Sequence, residues 1–234
     1  MKIEICANGF ASAQVAKDTG ADRIELCENL SVGGITPARD LIRRVVKEIG
    51  IETHVLIRPR SGDFCYSETE IETMIRDIEF CKSLGCSGVV SGALTSEKKI
   101  DTVTAKKLIE AAHGMHFTFH RAFDVCQTPL KALQQLKQLE ITRLLSSGQQ
   151  PKAINGIELL KQLKASSENK IQIMPGGGVT PENVLAFKNA GFKMLHFSAI
   201  KKDVDINKKD LFNSKVSGIT DAARILEIKK KLGI

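Results

Sequence analysis

Two carboxylates and two thiols recur at matching places in the first two apolar runs of the chain. Glu4 and Cys6 alternate with isoleucines in KIEIC, and Glu25 and Cys27 alternate with apolar residues in DRIELC. Because successive side chains of a strand point to opposite faces, each Glu and Cys pair should share one face. Paired carboxylates serve proton transfer, whereas two thiolates on adjacent strands suit a soft ion such as Cu(I).

A second set of polar residues lies in RPRSGDF, residues 58–64, and in HRAFD, residues 120–124. Arg58 can hold an anionic group through two parallel hydrogen bonds, and a histidine with a nearby carboxylate can transfer protons. Since buried charges are costly unless paired, we expect Glu4, Glu25 and Arg58 to form one hydrogen-bonded network. The predicted catalytic residues are Glu4, Glu25, Arg58, His120 and Asp124. A purely structural network is the alternative.

A third feature is the glycine run in IQIMPGGGVT, residues 171–180. Glycine lets an anion approach the backbone closely, and a helical pattern follows the run, so its amides could bind phosphate, carboxylate or sulfate. A second turn of small residues, around Ser198, ends the next apolar run. We predict an anion site built by Gly176, Gly177, Gly178 and Ser198. The alternative is that the glycines only make a tight turn.

These residues must be positioned by strands that alternate with helices. Short β-rich runs occur near residues 2–6, 22–27, 52–57, 87–91, 115–119, 141–145, 170–174 and 193–197. Helical patterns follow near 10–19, 37–49, 68–84, 101–112, 129–139, 153–164, 181–190 and 219–232. Strict alternation requires parallel pairing, which predicts an α/β fold, a single-domain (β/α)8 barrel over residues 1–234. Its chemistry should lie at the C-terminal ends of the strands, and the longest loop, 198–218, falls where a lid could sit.

Composition excludes several classes of protein. The 234 residues carry a net charge of +7, but with no Trp and one Tyr the chain lacks the stacking residues of a nucleic-acid binder. The opening MKIEICANGF predicts a strand rather than a signal peptide, and no run of about 18 apolar residues occurs. The six cysteines are scattered, which favours reduced thiols. We expect a cytoplasmic protein without nucleic-acid or membrane partners, and a homo-oligomer is left open.

Several longer stretches resemble the CutC family, which is named for copper homeostasis. They are EICANG, ADRIELCENLSVGGITP, IRPRSGDFCYS, TFHRAFD, SSGQ and IMPGGGVT, in this order along the chain. The resemblance implies a TIM-type barrel and cytoplasmic copper handling, with Cu(I) bound by cysteine. Carried over residue by residue, the proposed metal ligands correspond to Cys6 in EIC and Cys27 in IELC.

Two functions therefore compete, and whether the protein is an enzyme is left open. A copper carrier requires Cys6 and Cys27 and is indifferent to the glycines. An enzyme acting on a small phosphorylated or otherwise anionic substrate requires Glu25, Arg58, His120 and the glycine run. A scaffold without chemistry is a third interpretation, which the charged strand ends argue against.

Overall fold

The strands and helices alternate along the chain, as the sequence predicts. The computed structural model describes residues 1–200 and 220–234, and in these residues eight strands are each followed by a helix. The strands are β1 Lys2–Ala7, β2 Arg23–Leu26, β3 Glu52–Leu56, β4 Gly88–Ser91, β5 His116–Phe119, β6 Arg143–Ser146, β7 Gln172–Pro175 and β8 Met194–Phe197. The predicted 198–218 loop lies almost wholly outside the described residues.

The helices that follow the strands begin at different kinds of residue, and only some of them begin at a side-chain cap. They are α1 Phe10–Asp18, α2 Arg39–Arg44, α3 Glu68–Ser83, α4 Thr102–Ala111, α5 Pro129–Gln138, α6 Ile157–Ser166, α7 Val184–Asn189 and α8 Ala222–Leu232. Ser67 caps α3 through a reciprocal capping box with Glu70, and Asp101 accepts the Thr104 N–H at the start of α4. None of the described helices combines the length and the apolar character needed to span a membrane.

The largest differences from the predicted helix boundaries are in α2 and α6. The pattern over 37–49 is an α-helix only at Arg39–Arg44 and continues as π-helix over Val45–Ile49. The pattern over 153–164 becomes a helix at Ile157, because Gly156 packs against the backbone of Gly148 and residues 153–156 form a turn.

The sheet closes into a barrel. All strand pairs are parallel, and the order β7-β6-β5-β4-β3-β2-β1-β8 follows the chain, except that β8 pairs with β1. The seam between β7 and β8 is joined by a parallel bridge between Gly176 and His196. The predicted (β/α)8 barrel is therefore confirmed.

The two faces of the barrel wall carry different cores. Outward-facing residues such as Ile5, Ile24 and Val55 pack in one large apolar cluster with the helices. Inside the barrel lie two small clusters, one made of Cys6, Cys27, Leu56 and Val90, the other of Leu145, Met174 and Met194. The period-two alternation thus assigns Cys6, Cys27 and Leu56 to the inner face correctly. Buried charged residues, among them Glu4 and Arg23, lie in the same interior.

Candidate functional site

A cavity of about 780 Å³ opens at the C-terminal ends of the strands. Cys6 of β1, Glu25 of β2 and His196 of β8 line its inner part. Arg58 and His120, each just beyond the end of its strand, line it higher up. The predicted strand-end residues therefore meet at one mouth, where a (β/α)8 barrel places its chemistry.

The two predicted metal ligands lie side by side. The Sγ atoms of Cys6 and Cys27 are 3.4 Å apart. Cys6 lines the cavity, whereas Cys27 lies behind it, fully buried against Leu56 and Val90. The hydrogen bond with Cys27 and burial raise the pKa of Cys6, so this residue is a neutral thiol in the free protein.

Glu4 and Arg23 form a buried ion pair beneath the thiols. Arg23 Nε donates to Glu4 Oε2, and the two residues are direct neighbours in the register of β1 and β2. His196 Nδ1 lies 2.7 Å from Glu4 Oε1. Burial opposes the charge on Glu4, but the His196 hydrogen bond and the Arg23 charge hold the pKa of Glu4 well below its usual range. Glu4 is therefore a carboxylate, and His196 donates to it.

Glu25 is the less satisfied carboxyl group of this cluster. Its Oε2 lies 3.4 Å from His196 Nδ1 and has no hydrogen-bond partner among the described residues. Burial raises the pKa of Glu25 to about 7. Burial opposes the charge on His196, yet Glu25, Cys6 and Glu4 together raise the pKa of His196 well above its usual value. Ligand atoms of Glu4, Glu25 and His196 all lie within 4.8 Å of one another.

Arg58 does not join this network, so the prediction that it pairs with Glu4 and Glu25 is wrong. Its Nη1 donates to the carbonyls of Val32 and Gly34, and its Nη2 donates to the carbonyl of Gly62, at 2.8–2.9 Å. Arg58 lies beyond the end of β3, above the layer of Glu4, and there it fastens two loops of the mouth. Arg23, which is in register with Glu4, takes the place predicted for Arg58.

His120 is held as a neutral hydrogen-bond donor. Its Nδ1 accepts the N–H of Ala122 at 3.3 Å, which places the ring proton on Nε2. Burial and the nearby charge of Arg58 lower the pKa of His120 to about 3. The buried Nε2 has no partner in the described part of the chain. This ring can donate to a ligand in the cavity, and it is a poor proton acceptor at neutral pH.

Asp124 is hydrogen-bonded to residues other than His120. It accepts hydrogen bonds from Ser146 Oγ at 2.6 Å, from Ser147 N at 3.0 Å and from Arg121 Nε at 2.8 Å. Asp124 therefore holds the loop after β6 against the loop after β5 and orients Arg121. The expected proximity of a carboxylate to His120 does not extend to a hydrogen bond with Asp124.

The predicted anion residues divide into two groups. Gly177, Gly178 and Ser198 line the cavity, and the two glycines have φ of 100° and 69°. A Cβ on Gly177 would lie 3.2 Å from the Arg121 guanidinium, so a cation already faces this backbone. Gly176 lies in the barrel wall, bridged to His196, where it closes the seam instead of facing the cavity.

Sequence reasoning left several cavity residues out of the predicted site. Strand alternation turns both His196, which lines the cavity, and Arg23, which does not, toward the barrel axis, but nothing local marks either residue as a partner of Glu4. Arg121 and Arg224 also line the cavity, on the side of the glycine run. Arg121 lies in the HRAFD motif, while Arg224 lies on α8 and carries no recognisable sequence signal.

Comparison with known proteins identifies the relatives of this chain. The family model of the CutC family matches residues 1–201. A CutC family protein from Pasteurella multocida is 47% identical over 199 residues, covering 85% of this chain and 82% of its own length. A crystal structure described as a candidate copper homeostasis protein, CutC, from Streptococcus agalactiae is 36% identical with a TM-score of 0.80, covering 85% of this chain and 98% of that one.

More distant structures share the fold alone. Phosphoribosyl anthranilate isomerase from Thermus thermophilus is 12% identical with a TM-score of 0.63, covering 100% of this chain and 98% of that one. The family match, in contrast, extends over all eight strands and includes Cys6, Glu25, Arg58, His120 and His196. This chain belongs to the CutC family.

Proposed function

We propose that the protein binds Cu(I) through Cys6 and Cys27 and acts in copper homeostasis. The observation that carries this proposal is the 3.4 Å separation of the two Sγ atoms on neighbouring strands, with Cys6 at the wall of an open cavity. Thiolates are the ligands that soft Cu(I) prefers. The description of the Streptococcus agalactiae relative as a candidate copper homeostasis protein supports the same function.

The separation of the two sulfurs fits one metal ion on the cavity side. Thiolate bonds to a first-row metal ion are about 2.3 Å long, so sulfurs 3.4 Å apart would subtend an angle of about 95° at the ion. A bent pair of this kind leaves coordination space facing the cavity. Because Cys6 is a protonated thiol in the free protein, binding must release at least its proton.

The test is an anaerobic titration of the full chain with Cu(I) in competition with a chromogenic Cu(I) chelator. We expect about one tightly bound ion per chain, and we expect Cys6→Ser combined with Cys27→Ser to abolish it. Cys65→Ser is the matched control, since this half-buried thiol lies outside the cavity lining. An unchanged stoichiometry in the double variant would contradict the proposal.

A second candidate function is an enzyme acting on a small phosphorylated or otherwise anionic substrate. Specific features favour it, because Arg121 provides positive charge beside Gly177 and Arg224 lines the same cavity. Glu25 and His120 offer an acid and a fixed donor there. Copper binding by two thiols requires none of these. Charged guanidinium groups and bare amides are the usual means of holding a phosphate group.

This second function is tested by calorimetric titration of phosphate or a sugar phosphate. Gly177→Val should abolish binding, because its Cβ would crowd Arg121 and a β-branched residue is strained at φ of 100°. Gly114→Val is the matched control, with φ of 90° and open space around its Cβ. Circular dichroism checks that each variant is folded. Equal binding by wild type and Gly177→Val would show that the glycines only form a tight turn, and it would contradict the second function.

We also infer a cytoplasmic location and leave self-association to measurement. Every cysteine in the described residues is a free thiol, which suits a reducing compartment. Cell fractionation tests the location, and light scattering of the purified chain tests whether it forms a homo-oligomer.

A further inference from the structure

We propose that Arg58 and His120 together bind a carboxylate group of a ligand, through Arg58 Nε and His120 Nε2. The two residues lie just beyond the ends of β3 and β5, and both line the cavity. This inference rests on the second candidate function, an enzyme for a small anionic substrate, and it identifies one anionic group of that substrate. The cysteine pair has no part in it.

The first support is a pair of buried donors without acceptors. Arg58 is 6% exposed and His120 is 5% exposed. In the part of the chain that the structure describes, neither Arg58 Nε nor His120 Nε2 has a hydrogen-bond partner. Buried polar groups of native proteins are nearly always hydrogen-bonded. Two buried donors without partners on the wall of one cavity therefore indicate an acceptor that a ligand supplies.

The second support is the positive charge of Arg58, which lacks a counterion. Its Nη atoms donate to backbone carbonyl groups, which carry no net charge. Within residues 1–200 and 220–234 no carboxylate forms an ion pair with Arg58. The two carboxyl groups of the cavity lining have other neighbours, Glu25 beside His196 and Asp124 beside Arg121. A buried charge is costly unless it is paired, so an anionic group of the ligand would complete this site.

The third support is the way in which the fold brings the two side chains together. Strand β4 separates β3 from β5, and Gly92 follows its last residue. A Cβ on Gly92 would lie 2.8 Å from His120 Nδ1, so only a bare backbone lets the imidazole occupy this place. The ring centroid of Phe64 is 5.0 Å from that of His120 and 4.9 Å from Arg58 Cζ. Phe64 therefore packs against both side chains and holds them on the same part of the wall.

The chemistry of the two donors favours a carboxylate. His120 Nδ1 accepts the N–H of Ala122, so the proton of the neutral ring is on Nε2. Burial and the charge of Arg58 lower the pKa of His120 to about 3, which keeps the ring neutral at pH 7. A carboxylate has two acceptor oxygens and one negative charge, so it can satisfy both donors and neutralise Arg58. A neutral carbonyl group would leave the charge of Arg58 unpaired.

The experiment is calorimetric titration of the full chain with 3-phosphoglycerate and with glycerol 3-phosphate. Both probes carry a phosphate on a three-carbon backbone, and only 3-phosphoglycerate carries a carboxylate. Wild type should bind 3-phosphoglycerate about tenfold more tightly or better, the gain expected from hydrogen bonds that involve a charged group.

Two changes at His120 separate the donor from a structural role. His120→Asn can still accept the Ala122 N–H, but it has no group at the position of Nε2, so it should lose most of the preference for 3-phosphoglycerate. His120→Gln can place an amide N–H near that position and should retain more of the preference. The exposed His113→Asn is the matched control and should match wild type. A purely structural role would change the affinities for the two probes equally.

Nitrogen-15 NMR of the histidine side chains tests the contact on wild type alone, so its result stands even if a variant misfolds. The Nε2–H resonance of His120 should shift when 3-phosphoglycerate is added and should stay in place with glycerol 3-phosphate. Equal affinities of wild type for the two probes, or an unshifted resonance with 3-phosphoglycerate bound, would overturn this inference and leave the second candidate function standing. Binding of neither probe at millimolar concentration would overturn the second candidate function and this inference with it.

Discussion

The ion pair of Arg23 and Glu4 supports a prediction about stability. Arg23 is 1% exposed and Glu4 is fully buried. Arg23 donates to Glu4 through Nε and contacts the sulfur of Met194 through Nη2 at 2.9 Å. Arg23→Met removes the positive charge while keeping an unbranched side chain that can pack against the methionine. The change therefore isolates the loss of the charge partner.

The expected loss is about 3 kcal/mol of unfolding free energy. Breaking a buried pair by removing one partner costs roughly 3–5 kcal/mol, because an uncompensated charge stays behind. The lower end applies here, since His196 remains as a hydrogen-bond partner of Glu4 at 2.7 Å. Arg23→Met combined with Glu4→Gln should cost less than the sum of the two single changes, because no unpaired charge is left.

The assay is urea unfolding followed by far-UV circular dichroism, with all variants compared at one pH. Lys161→Met is the control, because Lys161 pairs with Glu158 on the exposed surface of α6, where an ion pair contributes roughly 0–1 kcal/mol. The assignment of a buried charge pair is wrong if the free energies of unfolding of Arg23→Met and the Lys161→Met control differ by less than about 1 kcal/mol. It is also wrong if the effects of Arg23→Met and Glu4→Gln are fully additive in the double variant.

Three further predictions concern single residues of the mouth and its loops. The pKa of His120 is lowered to about 3 in the folded protein, so between pH 6.5 and 5 this residue takes up a proton only in the unfolded chain. Wild type should therefore lose roughly 1.5–2 kcal/mol of unfolding free energy over this pH range. Urea unfolding at both pH values should show that this loss is absent in His120→Gln. Gly148→Ala should lower the free energy of unfolding by more than the roughly 1–2 kcal/mol that a left-handed backbone costs, because its Cβ would overlap the Gly156 carbonyl. Gly85→Ala has open space around its Cβ and should lose only the backbone cost. Thermal unfolding compares the two variants. Asp124→Ala should leave the Ser147 N–H without its acceptor, cost about 1–3 kcal/mol and speed amide hydrogen exchange there, and unchanged exchange would contradict its role.

The sequence alone was sufficient to predict the architecture and the inner face of each strand. Alternation of strands and helices predicted the (β/α)8 barrel, and period-two patterning placed Glu4, Cys6, Glu25 and Cys27 inside it. Both signals are local, because the side-chain directions of a strand follow from its own backbone. The glycine run was also recognisable, since consecutive glycines stand out in any sequence.

Only the tertiary structure decided which inward residues are partners. Glu4 pairs with Arg23 because strand register places them side by side, whereas Arg58 ends above that layer and binds backbone carbonyls. His196 reaches Glu4 across 192 positions of sequence because β8 pairs with β1. Such pairings depend on the stagger between strands, which periodicity within one strand does not contain. The tautomer of His120 likewise depends on one contact with the Ala122 N–H, which the residue type alone does not specify.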